Sequence, residues 1–337
     1  MSMLGEKLEV FYIQLVTVQS KIENGFSGEQ ISQLLQSVKD LDDYVLSPND
    51  GETPQVKDEI VRDAKKKVAQ VIRPYYIDTV NQLITSSTKR LRAKTALDSS
   101  IDHSQRHIYI LLELLGTWSN IIAEILAVNF DKEQVLFLLS SLSQRVHSLA
   151  YDCYLTFKSD KDLEGWCSKC ADINNNINIL ALDQLIQQLL QIKHIVTTYY
   201  AFLAHTCVAY AQPPPPINPN SPMLLHYLHQ HKSLQADYLF LITAEETRLW
   251  REINSFYVLL EAAYLAHSVL EACSDSSYSQ IEPQVFLPQY QEDVFYLLEK
   301  VKTRLFDHVF DEQSVFALAQ KLLEVITIAR DSSTPLS

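Results

Sequence analysis

The stretch QEDVFYLLEKVKTRLFDHVF, residues 291–310, places Val294, Leu297, Leu298, Val301, Leu305 and Val309 three or four positions apart. That spacing puts them along one side of a helix, with polar and charged residues on the other side. Such a stripe must be buried against something. Working outward, Val315, Leu318, Leu322 and Val325 repeat the pattern in a last helix over 311–330. The long helix before residue 273 supplies a third face. The stripe is therefore expected to pack on these two neighbours.

The same grammar runs through the chain. Helices are predicted over 3–24, 29–46, 55 to Pro74, 75–94, from about 105 to 129, from Asp131 to about Lys158, 160–172, 180–211 and 222–273. Leu111, Leu115, Trp118, Ile122 and Ile125 alternate spacings of four and three, a coiled-coil-like seam. Asp131 with Gln134 three residues on reads as a capping box. Pro74 should break or kink its helix, because its ring and missing N–H disturb the preceding turn. SPNDGETP (47–54), DSSIDHS (98–104), NNNIN (174–178), QPPPPINPNSP (212–222) and SDSSYSQIEP (274–283) read as loops. No repeat of fixed period is visible. The expected fold is all-α, an elongated stack of antiparallel helical bundles. Its expected segments are 1–97, a middle bundle 98–211, a Pro-rich loop or linker 212–222, a bundle 223–330 and a disordered tail 331–337.

Composition agrees. Only six of 337 residues are glycine, which favours helix over sheet and removes glycine-rich phosphate or dinucleotide loops. Net charge is −13, so wholesale nucleic-acid binding is not expected. The charge is uneven. Residues 57–94 hold ten basic and four acidic side chains, so this segment is +6 and the remainder −19. Lys65, Lys66, Lys67, Arg90 and Arg92 within it are candidates for contact with an acidic partner or an anionic membrane. The plainer reading is a solvated helix face. The five cysteines and the absence of a signal-peptide pattern in MSMLGEKLEV point to reduced thiols and a cytosolic protein. No run approaches eighteen apolar residues, so no bilayer span is expected.

Chemistry-bearing patterns are weak. Cys167 and Cys170 form one C-x-x-C, with His147 and Cys153 upstream, but a structural zinc site pairs two such clusters. His226, His229 and His231 have no carboxylate at matching spacing, and no Glu has a His three residues on, as a di-iron bundle would need. Asp40, Asp42 and Asp43 fall short of the aspartate-rich motif of prenyl-chain synthases, with Leu46 where a carboxylate should stand. Glu245 and Glu246 point about 100° apart on a helix and cannot form an acid–base pair. No metal, cofactor or catalytic residue is expected.

From about Leu112 onward the chain resembles subunit 4 of the conserved oligomeric Golgi complex. The resemblance is carried by residues 114–157, 181–204, 260–272 and 291–326, in that order. Asp293, Val294, Phe295 and Tyr296 stand where the family has its own Asp-Val-Phe-Tyr. Residues 1–110 lie outside the resemblance, and family members are longer, with a further carboxyl-terminal bundle. The likeness extends to the wider class of helical-rod tethering subunits. It implies a non-catalytic subunit of a vesicle-tethering complex, peripheral on the cytosolic face of the Golgi membrane and acting in retrograde and intra-Golgi transport. The implied partners are other complex subunits, syntaxin-type SNARE proteins and a Sec1-class regulator. No single residue is carried over as a site. The alternative from class and length is an all-helical enzyme or lipid-binding bundle around an enclosed apolar cavity.

Overall fold

A computed structural model describes residues 3–20, 28–45, 54–92, 105–172, 175–210, 244–274, 278–282, 285–307 and 312–333. These residues are overwhelmingly helical. The helices are α1 (Met3–Ser20), α2 (Gly28–Val45), α3 (Pro54–Arg92), α4 (Arg106–Leu126), α5 (Lys132–Asp160), α6 (Leu163–Cys170), α7 (Ile179–Tyr210), α8 (Ala244–Ser274), α9 (Gln289–Asp307) and α10 (Glu312–Ser333). The chain forms two compact units. One holds the described residues of 1–94 and 113–150, the other those of 95–112, 151–235 and 244–337.

In the first unit α2 packs on both α1 and α3. Ile31, Leu34, Leu35, Val38 and Leu41 of α2 are buried, at the spacing of one helix face. Phe11, Leu15 and Val18 of α1 face inward, as do Val61, Val68, Ile72, Tyr76 and Val80 of α3. α3 passes through Pro74 as one helix, so of the expected break or kink the break is absent. A proline inside a helix costs about 3 kcal/mol. Burial of Val71, Ile72, Tyr76 and Val80 on either side, at about 1.5–3 kcal/mol for each large side chain, is enough to offset it.

The seam of α4 is buried at every position: Leu111, Leu115, Trp118, Ile122 and Ile125. Helix α5 opens with one half of the capping box, the Asp131 N–H donating to Gln134 Oε1 at 3.0 Å, while the Gln134 N–H donates to the Asp131 carbonyl at 2.9 Å. Before α6, Asp162 adopts a left-handed conformation (φ 49°) and its carboxylate accepts from the Gly165 N–H at 3.2 Å. A Cβ at Gly165 would lie 2.0 Å from Asp162 Oδ2, so this cap depends on glycine. By length and composition, α4 and residues 248–272 of α8 could cross a bilayer. Half of the α4 window and 61% of the α8 window are buried inside the fold, as core helices are.

In the second unit α8 is the hub, packing on α6, α7, α9 and α10. It suits that place because apolar residues face several directions: Leu249, Ile253, Tyr257, Leu260, Tyr264, Leu265 and Val269 are all buried. The stretch that opened the sequence reading is α9, and its main neighbour is α8 rather than α10. Leu297 and Val301 are buried, whereas Val294, Leu298 and Leu305 are half-buried. Three expectations need correction. Arg304 lies on the buried side, 5% exposed, not with the polar face. Part of the expected 274–283 loop is strand, Tyr278–Glu282 pairing antiparallel with Val285–Pro288 through a register shift between Gln280 and Glu282. Helix α10 also runs on to Ser333, three residues into the segment read as tail. The Pro-rich segment 212–222 and the expected helix from 222 to 243 lie outside the described residues.

Candidate functional site

The basic residues of α3 do not form one surface. Lys65 is 6% exposed. Its Nζ pairs with Asp42 Oδ2 at 2.9 Å and donates to the Asn129 carbonyl at 2.8 Å. It takes this place because 61, 65, 68 and 72 share the inward face of the helix. Lys67 pairs with Asp63 at 2.7 Å and lies over the Tyr12 ring at 5.4 Å. Arg90 pairs with Glu113. Lys66 and Arg92 are exposed. Two of the three aspartates of DLDDYVL have partners: Asp42 holds Lys65, and on the surface Asp40 accepts from Gln36 at 2.7 Å.

Burial favours the protonated form of the three thiols among the described side chains, Cys153, Cys167 and Cys170. Burial pushes Cys153 up to about 12, and its Sγ donates to the His107 carbonyl at 3.4 Å. Burial, with Cys170 adding to it, pushes Cys167 up to about 11, and burial raises Cys170 as well. A thiolate is the nucleophile and the metal ligand, so these surroundings oppose both roles. His147 is buried with Nδ1 3.5 Å from the Ser143 hydroxyl. Among the described residues no three His, Cys, Asp or Glu side chains gather as a metal site. His226, His229, His231 and the side chains of Glu245 and Glu246 lie outside the described residues.

A charge cluster that the spacing does not announce ties α7, α8 and α9 together. Arg304 donates from Nη1 to Glu261 Oε1 at 2.7 Å and from Nη2 to Asp183. With its amide oxygen turned to the guanidinium, Gln187 accepts from Arg304 Nε at 3.2 Å and Nη2 at 2.8 Å. Lys300 pairs with Asp183 at 2.9 Å and donates to Tyr264 Oη at 3.0 Å. The Tyr264 ring carries both cations, Lys300 at 5.0 Å and Arg304 at 5.3 Å. Farther along α7, Lys193 is buried, bonded to Asn254 and 5.6 Å from the Trp250 ring.

Burial alone would raise Asp183, but hydrogen bonds from Lys300 and Arg304 outweigh it and hold the carboxyl below its usual range. Burial raises Glu261 against the pull of Arg304. Two cations therefore meet two carboxylates at fixed distances, and the cluster neutralises itself. Its chemistry is that of a clamp between helices.

Beside the clamp lies a cleft of about 720 Å³, lined by Asn175–Leu180, Asp183, Tyr264, His267, Glu271 and Lys300. Asn178 in this lining caps α7, accepting from the Ala181 N–H at 3.0 Å. Most of this lining is polar or charged, which suits a solvated cleft and not an enclosed apolar cavity.

Two helices present apolar side chains outward. On α1, Val10, Ile13 and Val16 stand at three-residue spacing opposite the buried Phe11, Leu15 and Val18, with Ile13 60% exposed. On α9, Phe295 is 74% and Tyr296 69% exposed. No family model, no curated protein and no solved structure matches this chain.

Proposed function

We propose that this chain is a non-catalytic, helical scaffold subunit of a vesicle-tethering complex acting in retrograde and intra-Golgi transport. The observation that carries the scaffold reading is the outward row of α1. A helix apolar on opposite sides is suited to burial on both, and among the described residues only the Phe11–Leu15–Val18 side is buried. Another subunit supplies the missing cover. The Golgi assignment rests on the ordered resemblance of residues 114–157, 181–204, 260–272 and 291–326. Protonated thiols and a self-neutralised clamp favour a structural role over catalysis. The elongated stack of antiparallel bundles, the cytosolic Golgi location and partnership with other subunits, syntaxin-type SNAREs and a Sec1-class regulator belong to the same proposal.

Affinity purification of the full chain with mass spectrometry is the direct test. Co-purification of tethering subunits, lost on changing Val10, Ile13 and Val16 to Ser while the helical spectrum is kept, supports the reading. Recovery of no Golgi trafficking component sinks it. X-ray scattering checks the elongated shape.

A further inference from the structure

The strongest unassigned surface is the outer face of α9. Glu292, Phe295, Tyr296 and Glu299 lie at i, i+3, i+4 and i+7, so they share one side of the helix. All four are exposed, and so is the adjoining Asp293. The opposite side, Leu297, Val301 and Arg304, is buried in the second unit. Glu299 has an exposed ion pair with Lys302 at 2.9 Å, which water and salt weaken. Two large aromatic rings on a solvated helix, bracketed by carboxylates, are costly to leave in water and cheap to cover only by a partner of matching charge.

We propose that this face docks an arginine-bearing amphipathic helix of a partner protein. A purely apolar partner would desolvate Glu292 and Glu299 without compensation. An anionic membrane would be repelled by three carboxylates. A guanidinium satisfies both features at once. Its plane stacks on Phe295 or Tyr296 while its N–H fork reaches a carboxylate, which a lysine ammonium cannot reproduce. The inference is independent of the Golgi reading, since it uses only the chemistry of one helix face.

The test uses the full chain and two fluorescein-labelled synthetic helices with the same leucine face, one carrying Arg and the other Lys at every polar position. Fluorescence anisotropy is expected to give about threefold tighter binding of the Arg peptide, the scale of an exposed cation–π contact. Binding should weaken as salt rises. The Phe295→Ala/Tyr296→Ala double variant should erase the preference for Arg. The charge-only variant Glu292→Gln/Glu299→Gln should weaken the Arg peptide by about fivefold to tenfold, as expected for two exposed pairs. A control, Glu6→Gln/Glu9→Gln on α1, should bind as wild type does. All changed side chains are exposed, so far-UV circular dichroism should be unaltered. Equal losses in the control and the Glu292/Glu299 variant overturn the proposal, as does wild-type binding by both α9 variants or binding of neither peptide. Binding of phosphatidylcholine–phosphatidylserine vesicles that is lost in the Phe295/Tyr296 variant also overturns it, by assigning the face to a membrane.

Discussion

In the first unit the buried cation Lys65 meets one carboxylate, Asp42, and one backbone carbonyl, that of Asn129. In the second, Arg304 meets Glu261 and Asp183 from two other helices, with Gln187 and the Lys300–Tyr264 pair adjoining. Lys65 decorates a core already defined by the apolar faces of α1, α2 and α3. The Arg304 clamp is itself part of what sets α7, α8 and α9 against one another. Removing a partner from each should therefore have unequal consequences, and the inequality is measurable.

The largest effect is expected at Glu261, which has no exposed surface. Glu261→Ala leaves the buried Arg304 with Gln187 and a single carboxylate, Asp183, which is already shared with Lys300. Breaking a buried pair in this way costs about 3–5 kcal/mol. Thermal unfolding should fall accordingly, and amide exchange in α7, α8 and α9 should quicken. The double variant Glu261→Leu/Arg304→Met removes both charges and leaves Asp183 with Lys300, so it should recover most of the loss. A double variant no more stable than the single one would show that the clamp supplies net stability, not merely a charge that must be balanced.

Lys65 comes next. Lys65→Met keeps the aliphatic stem against Val61 and Val68 but strips the Asn129 carbonyl and Asp42 of their donor. Both acceptors keep some access to water, so the loss should lie toward the low end of the about 1–3 kcal/mol that an unsatisfied buried acceptor costs. A loss equal to that of Glu261→Ala would erase the contrast between the units.

These two cations mark the boundary of what was legible in the sequence. Spacing was sufficient for the α4 seam, where all five apolar positions are buried, and for the Asp131 cap. It failed at Lys65 and Arg304 because an amphipathic reading assigns every charge to solvent. Arg304 occupies the inward register with Leu297 and Val301, but its partner Asp183 lies 121 positions away, a pairing that periodicity does not encode. The break expected at Pro74 is absent for a related reason: the local rule is sound, but tertiary burial of its neighbours lets the helix continue. The outward row of α1 was present as letters, yet only the packing of Phe11, Leu15 and Val18 on the other side makes Val10, Ile13 and Val16 surplus.

The second unit also carries a pH-dependent effect. His107 in the second unit is buried, and burial with the neighbouring Arg106 pushes its pKa down to about 4 despite Asp160 at 3.2 Å. Unfolded, it would take up a proton near pH 6.5. Between these values the unfolded chain binds the extra proton, so stability should fall as pH drops from about 6.5 to 4. His107→Gln should flatten that part of the profile, measured by chemical denaturation at a series of pH values. An unchanged slope would place the acid sensitivity in other groups.

The smallest effect is expected on the remaining basic residues of α3. Lys66 and Arg92 are exposed, unlike Lys65 one position from the former. Substitutions at such sites ordinarily change stability by no more than about 0.5 kcal/mol. Lys66→Gln/Arg92→Gln should therefore melt as wild type does, even though Lys65→Met does not. The same pair decides between the two readings of the basic segment. If it contacts an acidic partner or an anionic surface, the double variant should lose recruitment in a salt-sensitive manner while its melting point holds. If recruitment is also unaltered, the +6 charge is a solvated face, and the only cation among the three residues 65–67 that the fold buries is Lys65.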